Sequence, residues 1–376
     1  MTPPQGYWQI VLSVTCALLV AQCQVVETAP ATTQPLVLTV DASRVLRSGA
    51  NHVVGINLNY LRDADANRPQ ARPLKEALAD LGVRWLRYPG GEKSDFYLWS
   101  QPPYDKPNPT SLGWYKTVEG VPLDFDEYVR CARAVGAEPY VVVGYDTEQR
   151  TGRNKQQWIE NAVSWVNYAN RVKQYDIKYW EIGNENWHNG TAKAAEMASI
   201  VVEFSRAMKA VDPTIRIGSS GNNPGWWSQF LPVAAPALDF ISMSLYNAWN
   251  WKSYDYFVQH PNVDLIADAR SASAVIEKHA PAADRARLKL IVVETNSKDF
   301  SEKGWPSDNT LGHAIVTFET LGRLMQQERV ASAMIWTTRW VKDAEALKSQ
   351  WYALGANNEI LPPGKLRPCG AESKRR

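Results

Sequence analysis

The sequence predicts a single α/β domain built as a (β/α)8 TIM barrel, with a short extra strand before it. Eight short apolar segments recur between residues 53 and 336, each followed by a stretch with helical spacing. None of the eight alternates cleanly between apolar and polar residues, as expected of parallel strands buried on both faces. No low-complexity linker interrupts residues 36–365. Eight strand-then-helix units over about 300 residues fit a closed barrel. A doubly wound open sheet is the competing architecture. It would usually carry a glycine-rich phosphate loop after its first strand, and Gly55-Ile56-Asn57-Leu58 is not one.

In chain order, Leu36–Val40 reads as the extra strand. The barrel strands are then expected at Val53–Leu58, Trp85–Tyr88, Pro139–Val143, Tyr179–Ile182, Ile215–Ser219, Phe240–Ser244, Leu290–Val293 and Ala333–Trp336. Between the second and third strands, Asp124 is placed to cap a helix, with Glu127 at the reciprocal position of a capping box. Tyr128, Cys131, Ala132 and Val135 make the apolar stripe of that helix, and Gly136 ends it. After the fourth strand, Thr191 is expected to open a helix with Met197, Ile200, Val201, Phe204 and Met208 on one face, closed by Asp212-Pro213. The expected division is a leader over 1–34, the barrel over 35–365 and a basic tail over 366–376.

The 376 residues are 45% hydrophobic, ample for a large core, and carry a formal charge of +2. No strong field therefore draws the chain to nucleic acid or to a membrane surface. Sixteen Trp and sixteen Tyr against eight Phe favour rings with a polar handle, suited to partly wet, stacking surfaces as well as to a core. The five His and four Cys show no metal-binding spacing, so neither zinc, an iron–sulfur cluster nor any other cofactor is expected. Cys131 is expected to be a buried thiol, with a disulfide to Cys369 as the alternative.

Ile10–Ala21 is an apolar run too short to span a bilayer and about right for a signal peptide, although Met1–Gln9 holds no Lys or Arg. Leu19-Val20-Ala21-Gln22-Cys23 is a poor lipoprotein box. Val25–Gln34, rich in Thr, Ala and Pro, reads as a flexible leader. A secreted or periplasmic location follows as an expectation.

The chemistry concentrates in Tyr179-Trp180-Glu181-Ile182-Gly183-Asn184-Glu185-Asn186, where an apolar strand ends in Gly-Asn-Glu. The tips of barrel strands are where chemistry is done, and Glu294 closes the seventh strand at the same end as Glu185. Two facing carboxylates are the equipment for cleaving a glycosidic bond, one giving a proton and the other attacking carbon or activating water. Like charge and burial would push their pKa values apart. The bland reading of either residue alone is a capping or salt-bridging glutamate.

The motif Trp-Glu-Ile-Gly-Asn-Glu resembles the fourth-strand segment of clan A retaining glycoside hydrolases, especially the α-L-arabinofuranosidase-like enzymes and their relatives acting on glucuronides and agars. Leu86-Arg87-Tyr88-Pro89-Gly90-Gly91, the run from Asp124 to Tyr140, Ala207–Pro213, Ser242–Tyr246, Gly312-His313-Ala314 and Ile335-Trp336 are similar to matching segments of those enzymes. The resemblance covers about residues 50–360. It implies Glu185 as general acid/base, Glu294 as nucleophile, and Asn184 bonding the hydroxyl beside the reacting carbon. It also implies Arg87 orienting the nucleophile and keeping it ionised, Tyr246 bonding it, and Trp336 in the sugar-binding floor. Trp99 and Trp249 are expected among the loop aromatics that line the cleft, drawn with Tyr97, Trp114, Tyr115, Trp226, Trp227 and Trp251. Glu92 and Asp95 are further polar candidates. The implied partner is an oligo- or polysaccharide, with no nucleic acid and no membrane span. About 40 residues follow the eighth strand, too few for the β-sandwich those enzymes usually carry there, which leaves the substrate open. An endo-acting enzyme on agar, glucan or glucuronoxylan is the nearest rival reading, and a carbohydrate-binding barrel without catalysis is the other.

Overall fold

The computed structural model describes residues 53–246, 254–297, 311–339 and 352–365, with Ser43, Arg47 and Ser48. The chain divides into Met1–Val45, of which only Ser43 is described, and Leu46–Arg376, which holds the barrel. The leader, the strand expected at Leu36–Val40, Cys16, Cys23, Cys369 and the tail lie outside the described residues.

Eight strands close into a barrel: β1 (Val54–Asn57), β2 (Trp85–Tyr88), β3 (Glu138–Val143), β4 (Tyr179–Ile182), β5 (Arg216–Ser220), β6 (Phe240–Leu245), β7 (Lys289–Thr295) and β8 (Val330–Ile335). Each pairs in parallel with its chain neighbours, and β8 closes on β1 through Val54–Ala333. All eight expected strands are present. The larger differences are at β7, which runs two residues further, and at β8, which begins three residues earlier.

The helices follow the expected order. In α2 (Phe125–Ala134), Asp124 accepts the Glu127 backbone N–H, which is one half of the expected box. Tyr128, Cys131 and Ala132 are buried on its inner face, and the Cys131 thiol is free. The helix after β4, α4 (Ala194–Val211), starts at Ala194 rather than at Thr191. Thr191 is held elsewhere, its hydroxyl against Thr147 and 3.4 Å from Asp146, so it caps nothing.

Two apolar layers result. The larger lies between strands and helices. The smaller fills the barrel interior with Trp85, Tyr140, Val142, Phe240, Ile291, Val293 and Met334. Side chains two residues apart point the same way along a strand, so the positions after Trp85 and Tyr179 on the inner face are Arg87 and Glu181. The interior therefore changes from apolar to polar as it rises toward the C-terminal mouth.

Candidate active site

Arg87 is the hub of the polar layer. It is fully buried and uses all five of its N–H donors. Nε and Nη2 donate to Glu181 Oε2 at 3.1 and 2.9 Å. Nη2 also donates to Asn184 Oδ1 at 2.7 Å. Nη1 donates to Asn57 Oδ1 at 3.0 Å and to Glu294 Oε1 at 2.8 Å. Burial opposes the charge on Arg87, but Glu181 and Glu294 outweigh it and hold its pKa above the usual arginine value.

Glu294 reaches this hub through an irregularity in β7. Val293 belongs to the interior cluster, so strict alternation would turn Glu294 outward. The pairing with β6 slips between Val292 and Glu294, and the pairing with β8 slips over the same stretch. Such a bulge re-aims a side chain. Glu294 turns inward, and its second oxygen accepts the Tyr246 hydroxyl at 2.9 Å.

Glu185 is aimed by backbone conformation. Gly183 and Glu185 both have positive φ, +70° and +46°. At Gly183 a Cβ would meet Asn186 Oδ1 at 1.8 Å, so only glycine fits. A glutamate in the left-handed region is strained, and such strain clusters at functional sites. The turn is locked by the Asn184 N–H donating to Asp95 Oδ1 at 2.9 Å and by Asn186 Nδ2 donating to the Tyr145 carbonyl at 2.8 Å.

Glu185, Glu294, Tyr246, Ser244 and Trp336 line one cleft of about 490 Å³. Burial, then the charge of Glu185, pushes the Glu294 carboxyl up to about 7, against the Arg87 charge and the hydrogen bonds from Arg87 and Tyr246. Burial also raises Glu185, with the Ser244 hydroxyl and Arg87 working against it. The two acids therefore resist joint ionisation. With a proton on Glu185 its push on Glu294 disappears, and Arg87 and Tyr246 favour the Glu294 anion against burial.

Trp336 lines the cleft. Gly91 makes room for it, since a Cβ there would lie 2.1 Å from the indole ring. The Lys93 ammonium sits 4.9 Å from that ring. Glu92 also lines the cleft, accepting from Arg150 Nη2 at 2.8 Å and from the Tyr115 hydroxyl at 3.0 Å. Asn184 Nδ2 is buried and has no hydrogen-bond partner within the protein. No group of His, Cys, Asp and Glu able to hold a metal occurs among the described residues.

The family model described as "Alpha-L-arabinofuranosidase 1 domain" matches residues 77–262. The chain is 28% identical over 225 residues to alpha-L-arabinofuranosidase C of Emericella nidulans, covering 50% of this chain and 42% of that protein. It is 28% identical over 199 residues to the intracellular exo-alpha-(1->5)-L-arabinofuranosidase of Acetivibrio thermocellus, covering 46% and 38%. The chain carries an arabinofuranosidase-like (β/α)8 barrel. Its fold also matches the solved α-L-arabinofuranosidase of Thermotoga maritima with a TM-score of 0.63 at 21% identity, covering 84% of this chain and 69% of that one. The chain spans less than half the length of the named relatives it matches.

The arabinofuranosidase-like barrel brings Glu185, Tyr246, Glu294 and Trp336 to one cleft, with Arg87 bonded to Glu294 and to Asn184. Trp99 is a correction. It is 1% exposed, donates its indole N–H to the Asn161 carbonyl at 2.9 Å and stacks on Trp165, so it belongs to the core behind the cleft. Tyr97, Tyr115 and Trp227 are buried as well, whereas Trp114 is exposed. Trp249 and Trp251 lie outside the described residues. Asp95 is wholly buried and acts by holding Asn184, its pKa pushed well above the carboxylate range by burial first. Sequence reasoning missed Glu181, inside the motif it singled out, and Trp187, the residue that follows it. The two-residue spacing from Tyr179 along β4 was the available signal for Glu181.

Proposed function

We propose that this protein is a retaining glycoside hydrolase that releases α-L-arabinofuranosyl units from plant oligo- or polysaccharides. The observation that carries the reading is the pairing, in one cleft, of a Glu294 carboxyl group bonded by Arg87 and Tyr246 with a strained Glu185 whose pKa is raised. In the first step Glu294 attacks the anomeric carbon while Glu185 gives its proton to the departing oxygen, leaving a glycosyl ester on Glu294. In the second, Glu185 takes a proton from water, whose oxygen bonds to the anomeric carbon as the ester bond breaks. Asn184 Nδ2 is the donor for the neighbouring sugar hydroxyl. Trp336 is the apolar floor under the ring.

The printed names of the relatives support the sugar. The cleft volume supports a short oligosaccharide rather than a long endo-acting groove, since pockets of roughly 300–1,000 Å³ bury ligands of that size. The test is hydrolysis of an aryl α-L-arabinofuranoside, with proton NMR of the first product formed. The expected product keeps the anomeric configuration, and an inverted first product would sink the two-glutamate scheme. Export is part of the same reading, supported by the Ile10–Ala21 run, and N-terminal sequencing of the mature protein checks it.

A further inference from the structure

A second arginine gathers carboxylates beside the cleft, and nothing in the two-glutamate scheme uses it. Arg150 lies on a short helix, Glu148–Thr151, that follows β3. Its Nη1 donates to Asp146 Oδ2 and stands 3.8 Å from Asp95 Oδ2, and its Nη2 donates to Glu92 Oε1 at 2.8 Å. The guanidinium carbon lies 4.8 Å from the centre of the Phe96 ring. A planar fork that spans several carboxylates and rests on an aromatic face is a use of arginine that lysine cannot copy. Exposed ion pairs hold little, but the side chains of Asp95 and Asp146 have no exposed surface. Without their cation, two buried carboxylates would stand uncompensated.

Those two carboxylates grip the Glu185 loop from both ends. Asp95 Oδ1 accepts the Asn184 N–H at 2.9 Å, one residue before Glu185. Asp146 Oδ1 accepts the Thr191 N–H at 3.3 Å and the Thr191 hydroxyl at 3.4 Å, six residues after it. Between them, Asn186 Nδ2 donates to the carbonyl of Tyr145, the neighbour of Asp146. Asp95 comes from the segment after β2 and Asp146 from the segment after β3, and Arg150 Nη1 reaches both. The two segments also meet at Gly144, where a Cβ would lie 2.2 Å from the Ser94 carbonyl oxygen. Glu185 sits in the left-handed region at φ +46°, a conformation that persists only where the surroundings over-determine it. The contacts that do so run through Asp95 and Asp146 to Arg150. Of Arg150, Glu92, Asp95 and Asp146, only Glu92 lines the cleft.

We infer that Arg150 is a positioning residue for the proton donor: by holding Asp95 and Asp146 together it fixes both ends of the loop that aims Glu185. This rests on the glycosidase reading. The two arginines then divide the work, Arg87 bonding Glu294 and Arg150 steadying Glu185 through its neighbours. Loosening Arg150 impairs the gift of a proton to the departing oxygen and leaves the attack by Glu294 in place. A small misplacement of a catalytic group is enough to slow the step it serves.

The experiment follows kcat/KM over a series of aryl α-L-arabinofuranosides, from dinitrophenyl to phenyl, for wild type, Arg150→Met and Asp146→Asn. Dinitrophenolate departs with little help from an acid, whereas phenolate needs the proton. In Arg150→Met the rate on the phenyl glycoside is expected to fall about tenfold and on the dinitrophenyl glycoside about twofold, a part of the roughly 10²- to 10⁴-fold that a general acid supplies. Asp146→Asn keeps the shape of the side chain and weakens its tie to Arg150, so it should steepen the same dependence by about threefold. In a Glu185→Gln background, Arg150→Met should cost no more on the phenyl glycoside than on the dinitrophenyl one, because the group it positions is gone. Losses equal across the series in the folded variants, or no loss in any, overturn the positioning role while leaving the glycosidase reading intact. A wild type that cleaves none of the series overturns the glycosidase reading itself.

Discussion

Below Arg87 the barrel interior is closed around Glu181, and above it the interior opens around Glu294; one guanidinium bonds both carboxylates. Glu181 has no exposed surface. Its Oε2 takes two Arg87 bonds and its Oε1 the Ser242 hydroxyl. Glu294 is 5% exposed and lines a cleft, with Glu185 raising its pKa. Both oxygens of Glu181 are satisfied by the protein alone. Beside the cleft, Asn184 Nδ2, Trp187 Nε1 and Asn222 Oδ1 have no partners within the protein. Two glutamates with the same counter-ion thus differ in surroundings, one enclosed in the barrel and one lining a cleft.

The largest break of this comparison is Glu294→Gln. It removes the attacking oxygen while Glu181 keeps its ion pair. The expected outcome is a loss of about 10⁴-fold or more in kcat, the scale of removed nucleophiles, with the melting temperature nearly kept. Burst kinetics on an aryl glycoside checks it, since no ester should accumulate.

Next comes Glu185→Gln. Losing a general acid costs roughly 10²- to 10⁴-fold, more on a sugar leaving group than on an activated aryl one. Steady-state rates on the two substrates should separate. Equal losses would move the proton donor elsewhere.

Glu181 is tested by stability instead. Glu181→Leu removes one partner of a fully buried pair, which costs about 3–5 kcal/mol when the other charge stays behind. Arg87 keeps Glu294 and Asn184, so the loss belongs at the lower end. Urea unfolding measures it. The pair Glu181→Leu with Arg87→Met should be less destabilised than the sum of the two single changes.

The strands were legible because each is a short apolar run set between helical spacings, and so was the site wherever a residue lay at a strand tip. What stayed hidden depends on direction. Glu181 and Glu185 are four residues apart in one motif, yet one joins the inner face of β4 and the other a left-handed turn beyond it. Glu294 faces inward only because β7 slips register, and no local residue pattern announces that slip. Trp99 follows a glycine-rich loop like a cleft aromatic, but the chain after Gly91 turns it under α3 (Lys155–Val166). Thr191 has the chemistry of a cap and spends its hydroxyl on Thr147 and Asp146.

The finest test asks whether the mouth carboxylate titrates like an ordinary paired one. A carboxyl whose folded pKa is depressed adds stability as pH rises. Glu294 is raised instead, to about 7, by burial and then by Glu185. Between about pH 4.5 and 7 the folded state therefore holds more protons than the unfolded state, and stability falls as pH increases. Glu294→Gln abolishes that fall. Relative to wild type, the variant should gain on the order of 2 kcal/mol between pH 5 and pH 8, since one pKa unit is worth about 1.4 kcal/mol. Urea unfolding of both proteins at the two pH values measures the difference. The reverse trend would mean that Arg87 and Tyr246 dominate, and that Glu294 titrates as an ordinary paired carboxylate.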